Sequence, residues 1–375
     1  MRPPEHVRRA LLALPSPACA YVYDIAALRA RAASVRAALP VPASFLYAVK
    51  ANSHPDVVAA LAGECDGLEV ASGGELRLAR AAGAKRIVFG GPAKTDAELA
   101  AALSAGAQIN AESIHELHRI AALGGRPDVV VRVNRPGGGL VGSHTMTGTP
   151  TPFGIDPAAL PAALAVPGVN VTGFHLHAVS NNLDGAAHAA FVESSLAWSA
   201  ETAARFGIDL RVVNVGGGFG VDYLTDDSID LSPLSRVAVP PGLDLVFEPG
   251  RLLAADAGWY AAEVLDVKTT HGRTFAVLRG GTHHFRLPAA WGYNHPFTVL
   301  PVDRWPYAHP RPTATDTAID AVGELCTPRD VLCRGRHVDL VRAGDLLVFG
   351  RTGAYGWDIS HHDFLRHDPP RFIVV

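Results

Sequence analysis

Eight short apolar, β-rich runs recur over the first two thirds of the chain, and Ala- and Leu-rich stretches of helical character separate them. The runs begin at Phe45, Gly67, Arg86, Gln108, Val129, Val171, Arg211 and Leu243. Several helical stretches open with a capping-box pattern: Ser72 with Glu75, Thr95 with Glu98, and Ser113 with Glu116. Eight alternating strand and helix units fit a (β/α)8 barrel better than an open doubly wound sheet.

The pattern changes after about Ala262, where short apolar or alternating runs are separated by Gly, Pro and His and few windows are helical. A further strand-like segment, CAYVYDI from Cys19, precedes the first barrel helix and could pair with this later region. We therefore predict a (β/α)8 barrel over residues 22–262. We also predict a β-domain that combines residues 1–21 with 263–375.

Composition excludes several classes of protein. The 375 residues are 48% hydrophobic and 18% charged, and 33 Lys and Arg face 36 Asp and Glu, which is typical of a soluble globular protein. No basic block indicates nucleic acid or an anionic membrane as a partner. The four cysteines form no Cys-x-x-Cys pair, so neither a disulfide framework nor a thiolate metal site is indicated, and we expect a cytoplasmic protein.

Polar groups and glycines stand where the predicted strands end, which is where barrels of this kind carry their active sites. Each has an ordinary structural interpretation when taken alone, such as a solvated lysine or a tight glycine turn. Their convergence at one rim predicts a reactive site. The residues are Lys50, Glu69, Arg132, His177, Gly216, Gly217, Gly218, Glu248 and Arg251.

Two kinds of chemistry could use this rim. His175 and His177 are two residues apart on a predicted strand and could bind a metal, but Lys50 and Arg132 at the same rim are cations and disfavour one. An aldehyde cofactor with a phosphate suits the rim better. A lysine can form its Schiff base, glycines and an arginine can bind the phosphate, an imidazole can stack, and a carboxylate can pair with a pyridinium nitrogen. The rim therefore predicts pyridoxal phosphate and no metal.

Eight motifs, in order along the chain, resemble the fold-type III pyridoxal phosphate decarboxylases, a family that includes ornithine, arginine and diaminopimelate decarboxylases. They extend from the barrel into the β-domain. The motifs are YAVKAN around Lys50, EVASGGEL around Glu69, INAES around Asn110, GFHLHAVS around His177, VNVGGGFGVDY around Gly217, EPGR at Glu248, GELCTPRDVL around Cys326 and GAYG around Tyr355.

The resemblance implies a role for each matching residue. Lys50 would hold the cofactor covalently, Glu248 would pair with the pyridine nitrogen, His177 would stack on the ring and Arg132 would lie near the phenolic oxygen. Phosphate would be bound by Ser180, Gly216, Gly217, Gly218, Arg251 and Tyr355. The site would be shared across a homodimer, with Cys326 reaching the cofactor of the partner chain. Val179 stands where the family usually has Gly, which affects the contact expected from Ser180.

The expected reaction is decarboxylation rather than racemisation. The resembling racemases place an arginine at the pyridine nitrogen, whereas Glu248 would keep that nitrogen protonated and the ring able to accept electrons.

The expected substrate differs from a free diamino acid. Thr327 follows Cys326 where diaminopimelate and ornithine decarboxylases have an acid beside the distal amine, and a buried ammonium without a counter-ion is costly. His283, His284 and Arg286 indicate a cationic substrate pocket. Variants such as GGTHHFRLP resemble the branch of the family found in siderophore biosynthesis, which implies an amino acid joined to citrate.

Three alternatives stay open on sequence alone. They are decarboxylation of a free amino acid such as diaminopimelate or ornithine, a non-catalytic pyridoxal phosphate-binding protein, and a metal-dependent barrel hydrolase. A non-catalytic cofactor-binding protein would not explain the region after Ala262. A metal-dependent hydrolase would not explain the cations at the rim.

Overall fold

Secondary structure follows the predicted alternation in this computed structural model, which describes residues 2–136, 139–225 and 227–375. The strands of the described residues are β1 (Cys19–Tyr23), β2 (Ser44–Ala48), β3 (Gly67–Val70), β4 (Ile87–Phe89), β5 (Gln108–Ala111), β6 (Asp128–Arg132), β7 (His144–Thr145), β8 (Asn170–His175), β9 (Val179–Ser180), β10 (Val212–Gly216), β11 (Asp244–Phe247), β12 (Gly258–Thr270), β13 (Arg273–Leu278), β14 (Phe297–Leu300), β15 (Thr313–Val322), β16 (Val331–Arg342), β17 (Leu346–Phe349) and β18 (Arg371–Val374).

The helices lie mainly between the strands of the first two thirds of the chain. They are α1 (Glu5–Leu12), α2 (Ile25–Ala38), α3 (Pro55–Glu64), α4 (Gly73–Ala81), α5 (Asp96–Ser104), α6 (Ile114–Ala122), α7 (Leu160–Leu164), α8 (Gly185–Phe206), α9 (Arg251–Ala254) and α10 (Leu287–Trp291). Among the described residues, no helix is both long and apolar enough to cross a membrane.

The chain divides into two units. The barrel unit comprises Arg29–Val221 and Asp227–Leu253. The β unit comprises the residues up to Leu28, a short segment that begins at Asp222, and Ala254–Val375.

Eight parallel strands close the barrel in the order β10, β11, β2, β3, β4, β5, β6, β8. Each contains or overlaps one of the eight apolar runs, which confirms the predicted (β/α)8 barrel. Leu46, Val88 and Val246 come from β2, β4 and β11 and form one buried cluster.

The predicted helix starts are present, but only one forms the full reciprocal cap. Thr95 accepts from the backbone of Glu98 while the Glu98 side chain accepts from the backbone of Thr95. Ser72 and Ser113 each accept a backbone N–H three residues later. Glu116 does not return the contact to Ser113, because it receives Lys94 Nζ at 2.7 Å in a buried ion pair.

The β unit is built on one mixed sheet with the central order β14, β17, β12, β13, β15, β16. Strand β1, within the CAYVYDI segment, pairs antiparallel with β12 and parallel with β18. Its core includes Val7, Val22, Trp259 and Val348. The two ends of the chain thus belong to one sheet.

Candidate active site

Lys50 lies in a single 3-10 turn, Val49–Ala51, directly after β2. Its Nζ donates to Oε2 of Glu69 on the neighbouring strand β3. The Lys50 side chain is 45% exposed, whereas that of Glu69 is 5% exposed. A buried carboxylate therefore holds an accessible ammonium group at the barrel rim.

Arg132, the last residue of β6, forms a buried ion pair with Glu112. Arg132 Nη1 lies 2.8 Å from Glu112 Oε1, and the guanidinium lies over the Phe153 ring at 4.6 Å. The backbone N–H groups of Gly91 and Gly154 also donate to Glu112, at 2.9 and 3.0 Å. Glu112 is thereby held by two loops, and it fixes Arg132 in turn.

Glu248 follows β11 and is almost fully buried. Asn214 Nδ2 donates to its Oε1 at 2.6 Å, while Asn214 Oδ1 accepts the Gly216 N–H at 2.9 Å. Burial, followed by the nearby Glu69 carboxylate, raises the pKa of Glu248 to about 7. Glu248 can therefore hold or release a proton near neutral pH.

His175 contacts this carboxylate rather than a metal-like cluster. Asn110 Nδ2 lies 3.2 Å from His175 Nδ1, and His175 Nε2 lies 3.6 Å from Glu248 Oε2. Burial and then the Arg132 charge hold the pKa of His175 well below its usual range, so the ring is neutral. Across the described ranges, no group of three or more His, Cys, Asp or Glu side chains is arranged to bind a metal ion.

The glycine run packs against His177. Gly216 has a φ of +70° and Gly218 a φ of +96°. A Cβ on Gly216 would overlap the His177 ring, and one on Gly218 would lie 2.6 Å from the Val179 carbonyl oxygen. Only glycine therefore allows this close approach of backbone to ring.

Buried polar atoms at this rim fit a ligand that brings its own hydrogen-bonding groups. Within the part of the chain that the structure describes, His177 Nδ1 and Arg132 Nε are buried without a hydrogen-bond partner, although such atoms normally have one. Burial, with the Arg132 and Lys50 charges, keeps the pKa of His177 well below its usual range. A neutral ring beside a glycine cradle, the buried Arg132 and the exposed Lys50 fits pyridoxal phosphate.

Two expected phosphate ligands also belong to the barrel unit. Arg251 is buried at the start of α9. Ser180 lies on β9, which pairs with β7, and its carbonyl oxygen accepts the Ser143 N–H at 2.7 Å. Val179 is buried, so the fold accommodates the larger residue at this position.

The remaining expected site residues belong to the β unit. Cys326 has a free, exposed thiol. Tyr355 has a φ of +55° and is partly buried. Arg286 and Thr327 line one cavity of about 830 Å³.

His283 and His284 do not line that cavity. Both are fully buried, with ring centroids 3.8 Å apart. His283 Nε2 lies 3.4 Å from Glu324 Oε1, which also pairs with Arg279. Burial, with the nearby His283 and Arg279, lowers the pKa of His284 to about 2, so His284 is neutral. These two histidines are therefore buried, whereas Arg286 is exposed and lines the cavity with Thr327.

Several residues of the two sites were missed by the sequence analysis. Asn110, Glu112 and Asn214 position the rim side chains through long-range contacts that no local pattern encodes. Asn110 and Glu112 lie inside the INAES motif, which gave a usable signal. Arg329 and Arg334 line the β-unit cavity, and Arg329 lies inside GELCTPRDVL.

Comparison with known proteins gives matches over most of the chain. A family model described as "Pyridoxal-dependent decarboxylase, pyridoxal binding domain" matches residues 25–255. The 2-[(L-alanin-3-ylcarbamoyl)methyl]-2-hydroxybutanedioate decarboxylase of Staphylococcus aureus is 40% identical, covering 100% of this chain and 98% of that protein. The diaminopimelate decarboxylase of Deinococcus radiodurans is 34% identical over 91% of this chain and 86% of that protein.

A solved structure has the same fold. Diaminopimelate decarboxylase from Helicobacter pylori, complexed with L-lysine, matches with a TM-score of 0.85 at 24% identity. The match covers 98% of this chain and 94% of that chain.

Proposed function

The chain belongs to the family of pyridoxal-dependent decarboxylases, and from that premise we propose that it decarboxylates an amino acid joined to citrate in siderophore biosynthesis. It is a carboxy-lyase that uses pyridoxal phosphate. Membership in a decarboxylase family decides against a non-catalytic cofactor-binding protein and against a metal-dependent hydrolase. The observation that supports the substrate is the full-length similarity to the S. aureus enzyme, whose name describes such a conjugate.

We assign the barrel-rim residues to the cofactor. Lys50 would bind its aldehyde, Glu248 its pyridine nitrogen, His177 its ring face, and Arg132 the region of its phenolic oxygen. The phosphate would be bound by Ser180, Gly216, Gly217, Gly218, Arg251 and Tyr355. Bound pyridoxal phosphate supplies an electron-accepting ring, which takes up the electron pair left when carbon dioxide departs.

Side chains of the rim can accept or hold the protons that this reaction requires. The Lys50 amine must lose a proton before it can act as a nucleophile, and the Glu69 carboxylate that accepts its hydrogen bond can take up that proton. Glu248, with its pKa near 7, can hold a proton at the pyridine nitrogen when its carboxylate is ionised. The neutral His177 ring offers a flat, uncharged surface, since burial prevents its protonation.

The cavity of the β unit also supports the proposed substrate. The substrate named for the S. aureus enzyme retains two carboxylates and a hydroxyl on its hydroxybutanedioate part. Thr327 and Arg286 line a cavity that has no acidic lining residue within the described part of the chain, which suits an anionic arm and not a distal ammonium. We assign a supporting role to His283 and His284, which precede Arg286 in the same segment and are not among the residues that line the cavity.

We further propose a cytoplasmic homodimer with a shared active site, in which Cys326 of one chain reaches the cofactor of the other. The resemblance to the family supports the dimer, and the exposed thiol of Cys326 suits a role at an interface. All four cysteines are free thiols, which suits a reducing compartment.

Carbon dioxide release by the cofactor-loaded protein tests the substrate. The amide of citrate with diaminopropionate, free diaminopimelate and free ornithine are compared at equal concentration. We expect release from the citrate conjugate alone. Release from diaminopimelate alone would favour the second candidate, a free diamino acid decarboxylase, which the D. radiodurans relative supports.

A further inference from the structure

The β-unit cavity contains more positive charge than the sequence analysis expected. Besides Arg286, it is lined by Arg329, Arg334 and His361, together with Thr327 and Asn294. Among the residues that the structure describes, no Asp or Glu lines it. Its volume of about 830 Å³ is in the range of small-molecule sites.

The three arginines are not neutralised by acids at the cavity wall. Among residues that the structure describes, no carboxylate lies within 4 Å of the guanidinium of Arg286 or Arg329. Arg334 Nη1 lies 3.8 Å from Asp320 Oδ2, but that carboxylate also pairs with Arg273 and accepts the Gly335 N–H at 2.8 Å. Positive charge therefore remains available to a ligand.

Asp330 follows Arg329 in sequence, but its carboxylate accepts hydrogen bonds from backbone N–H groups rather than pairing with an arginine of the cavity. The buried Asp330 carboxylate accepts the backbone N–H groups of Thr282 at 2.6 Å and Leu325 at 2.9 Å. A Cβ on Gly281 would lie 2.5 Å from this carboxylate, so glycine is needed for the approach. Asp330 thus ties together the two segments that carry Arg286 and Arg329.

Asn294 fixes the third arginine in a similar way, through the backbone. Its Oδ1 accepts the N–H of Arg334 at 3.0 Å, which joins the α10 side of the cavity to strand β16. The cavity therefore presents three cationic side chains from a backbone framework that is already hydrogen-bonded.

We propose that this cavity binds a hydroxydicarboxylate, and that Arg286, Arg329 and Arg334 are its specificity-determining residues. Guanidinium groups bind carboxylates through paired, charge-assisted hydrogen bonds, and two carboxylates need at least two such groups. The Thr327 hydroxyl can bond the ligand hydroxyl. This inference rests on the proposed function, since the distal arm of the citrate conjugate is a hydroxydicarboxylate.

Binding of citramalate, a free hydroxydicarboxylate, tests the site by titration calorimetry of the cofactor-loaded protein. We expect Arg329→Gln and Arg334→Gln each to weaken citramalate binding about fivefold, as for exposed ion pairs. Arg336→Gln is the matched control, because Arg336 is also exposed on β16 but does not line this cavity. Acetate at equal ionic strength should not bind measurably.

The outcomes separate the site from the reaction. Equal citramalate affinity in all variants, or no binding to the unsubstituted protein, would overturn the site even if carbon dioxide is released from the citrate conjugate. Selective weakening in the Arg329 and Arg334 variants supports the site. If that weakening occurs while the citrate conjugate yields no carbon dioxide, the site stands and the proposed function fails.

Discussion

The charged side chains of the barrel rim and those of the β-unit cavity differ in their burial and in their polar partners. At the rim, Arg132 and Glu248 are buried and each is fixed by a dedicated polar partner. In the cavity, Arg286, Arg329 and Arg334 are exposed, and the described lining residues include no acid that offsets their charge. The groups that we assign to the reaction are thus held by buried polar partners, and the groups that we assign to substrate choice are exposed and act more independently.

The difference has an energetic consequence. Removing one member of a buried polar set leaves its partner unpaired in a low dielectric, which is costly. Removing one exposed arginine loses only a solvent-screened interaction. Substitutions should therefore have large, coupled effects at the rim and smaller, nearly additive effects in the cavity.

The largest effect is expected at Lys50. Lys50→Ala removes the amine that we assign to the cofactor aldehyde, so decarboxylation should fall at least about a thousandfold. The yellow absorbance of the lysine-bound cofactor should disappear from the spectrum of the purified protein. Lys85→Ala is the control, since Lys85 is exposed outside the rim. Full activity in the Lys50 variant would refute the assigned role.

The second largest effect concerns Glu248. In protein freed of cofactor, the free energy of unfolding should depend on pH through this carboxyl. The pKa of Glu248 is about 7 when folded, against an ordinary value of 4.5, so the folded state binds the extra proton. This contribution to stability is complete below pH 4.5 and is lost as the pH rises to 7. The free energy of unfolding should therefore fall by about 3 kcal/mol over that interval relative to Glu248→Gln.

Urea unfolding of both proteins at several pH values between 5 and 8 measures this difference. The neutral amide of Glu248→Gln cannot ionise, so the variant lacks that loss. Glu201→Gln, on an exposed part of α8, should match the unsubstituted protein. Identical pH slopes for Glu248→Gln and the unsubstituted protein would show that this carboxyl does not have a raised pKa.

A smaller effect is expected in the cavity. Thr327→Glu introduces a carboxylate among the arginines, so kcat/KM for the citrate conjugate should fall about tenfold. Any activity with diaminopimelate should rise, because the new acid can pair with a distal ammonium. Thr315→Glu, exposed elsewhere on the β unit, is the control. Unchanged kcat/KM in the Thr327 variant would place the distal arm outside this cavity.

The sequence predicted the barrel well because local patterns encode it. Each strand is a short apolar run, and a parallel barrel places their carboxyl ends at one rim, so residues such as Lys50 and Glu248 could be identified. The partners Asn110 and Asn214 were not predicted. Their bonds depend on register between strands, which no single segment contains.

The cavity was predicted only in part for a different reason. His283, His284 and Arg286 are close in sequence, but the two histidines are buried while Arg286 is exposed. Asp330, the neighbour of Arg329, accepts the N–H of Thr282, which lies 48 residues away in the segment that carries Arg286. Loop conformation therefore decides which of these cations can meet a ligand.

The central claim is that the rim performs the reaction and the cavity selects the substrate. Steady-state kinetics of the cofactor-loaded triple variant Arg286→Gln/Arg329→Gln/Arg334→Gln with the citrate conjugate test it most directly. If three exposed contributions add, KM should rise about a hundredfold while kcat stays within about threefold of the unsubstituted enzyme. A large loss of kcat with unchanged KM would contradict the division between the two regions.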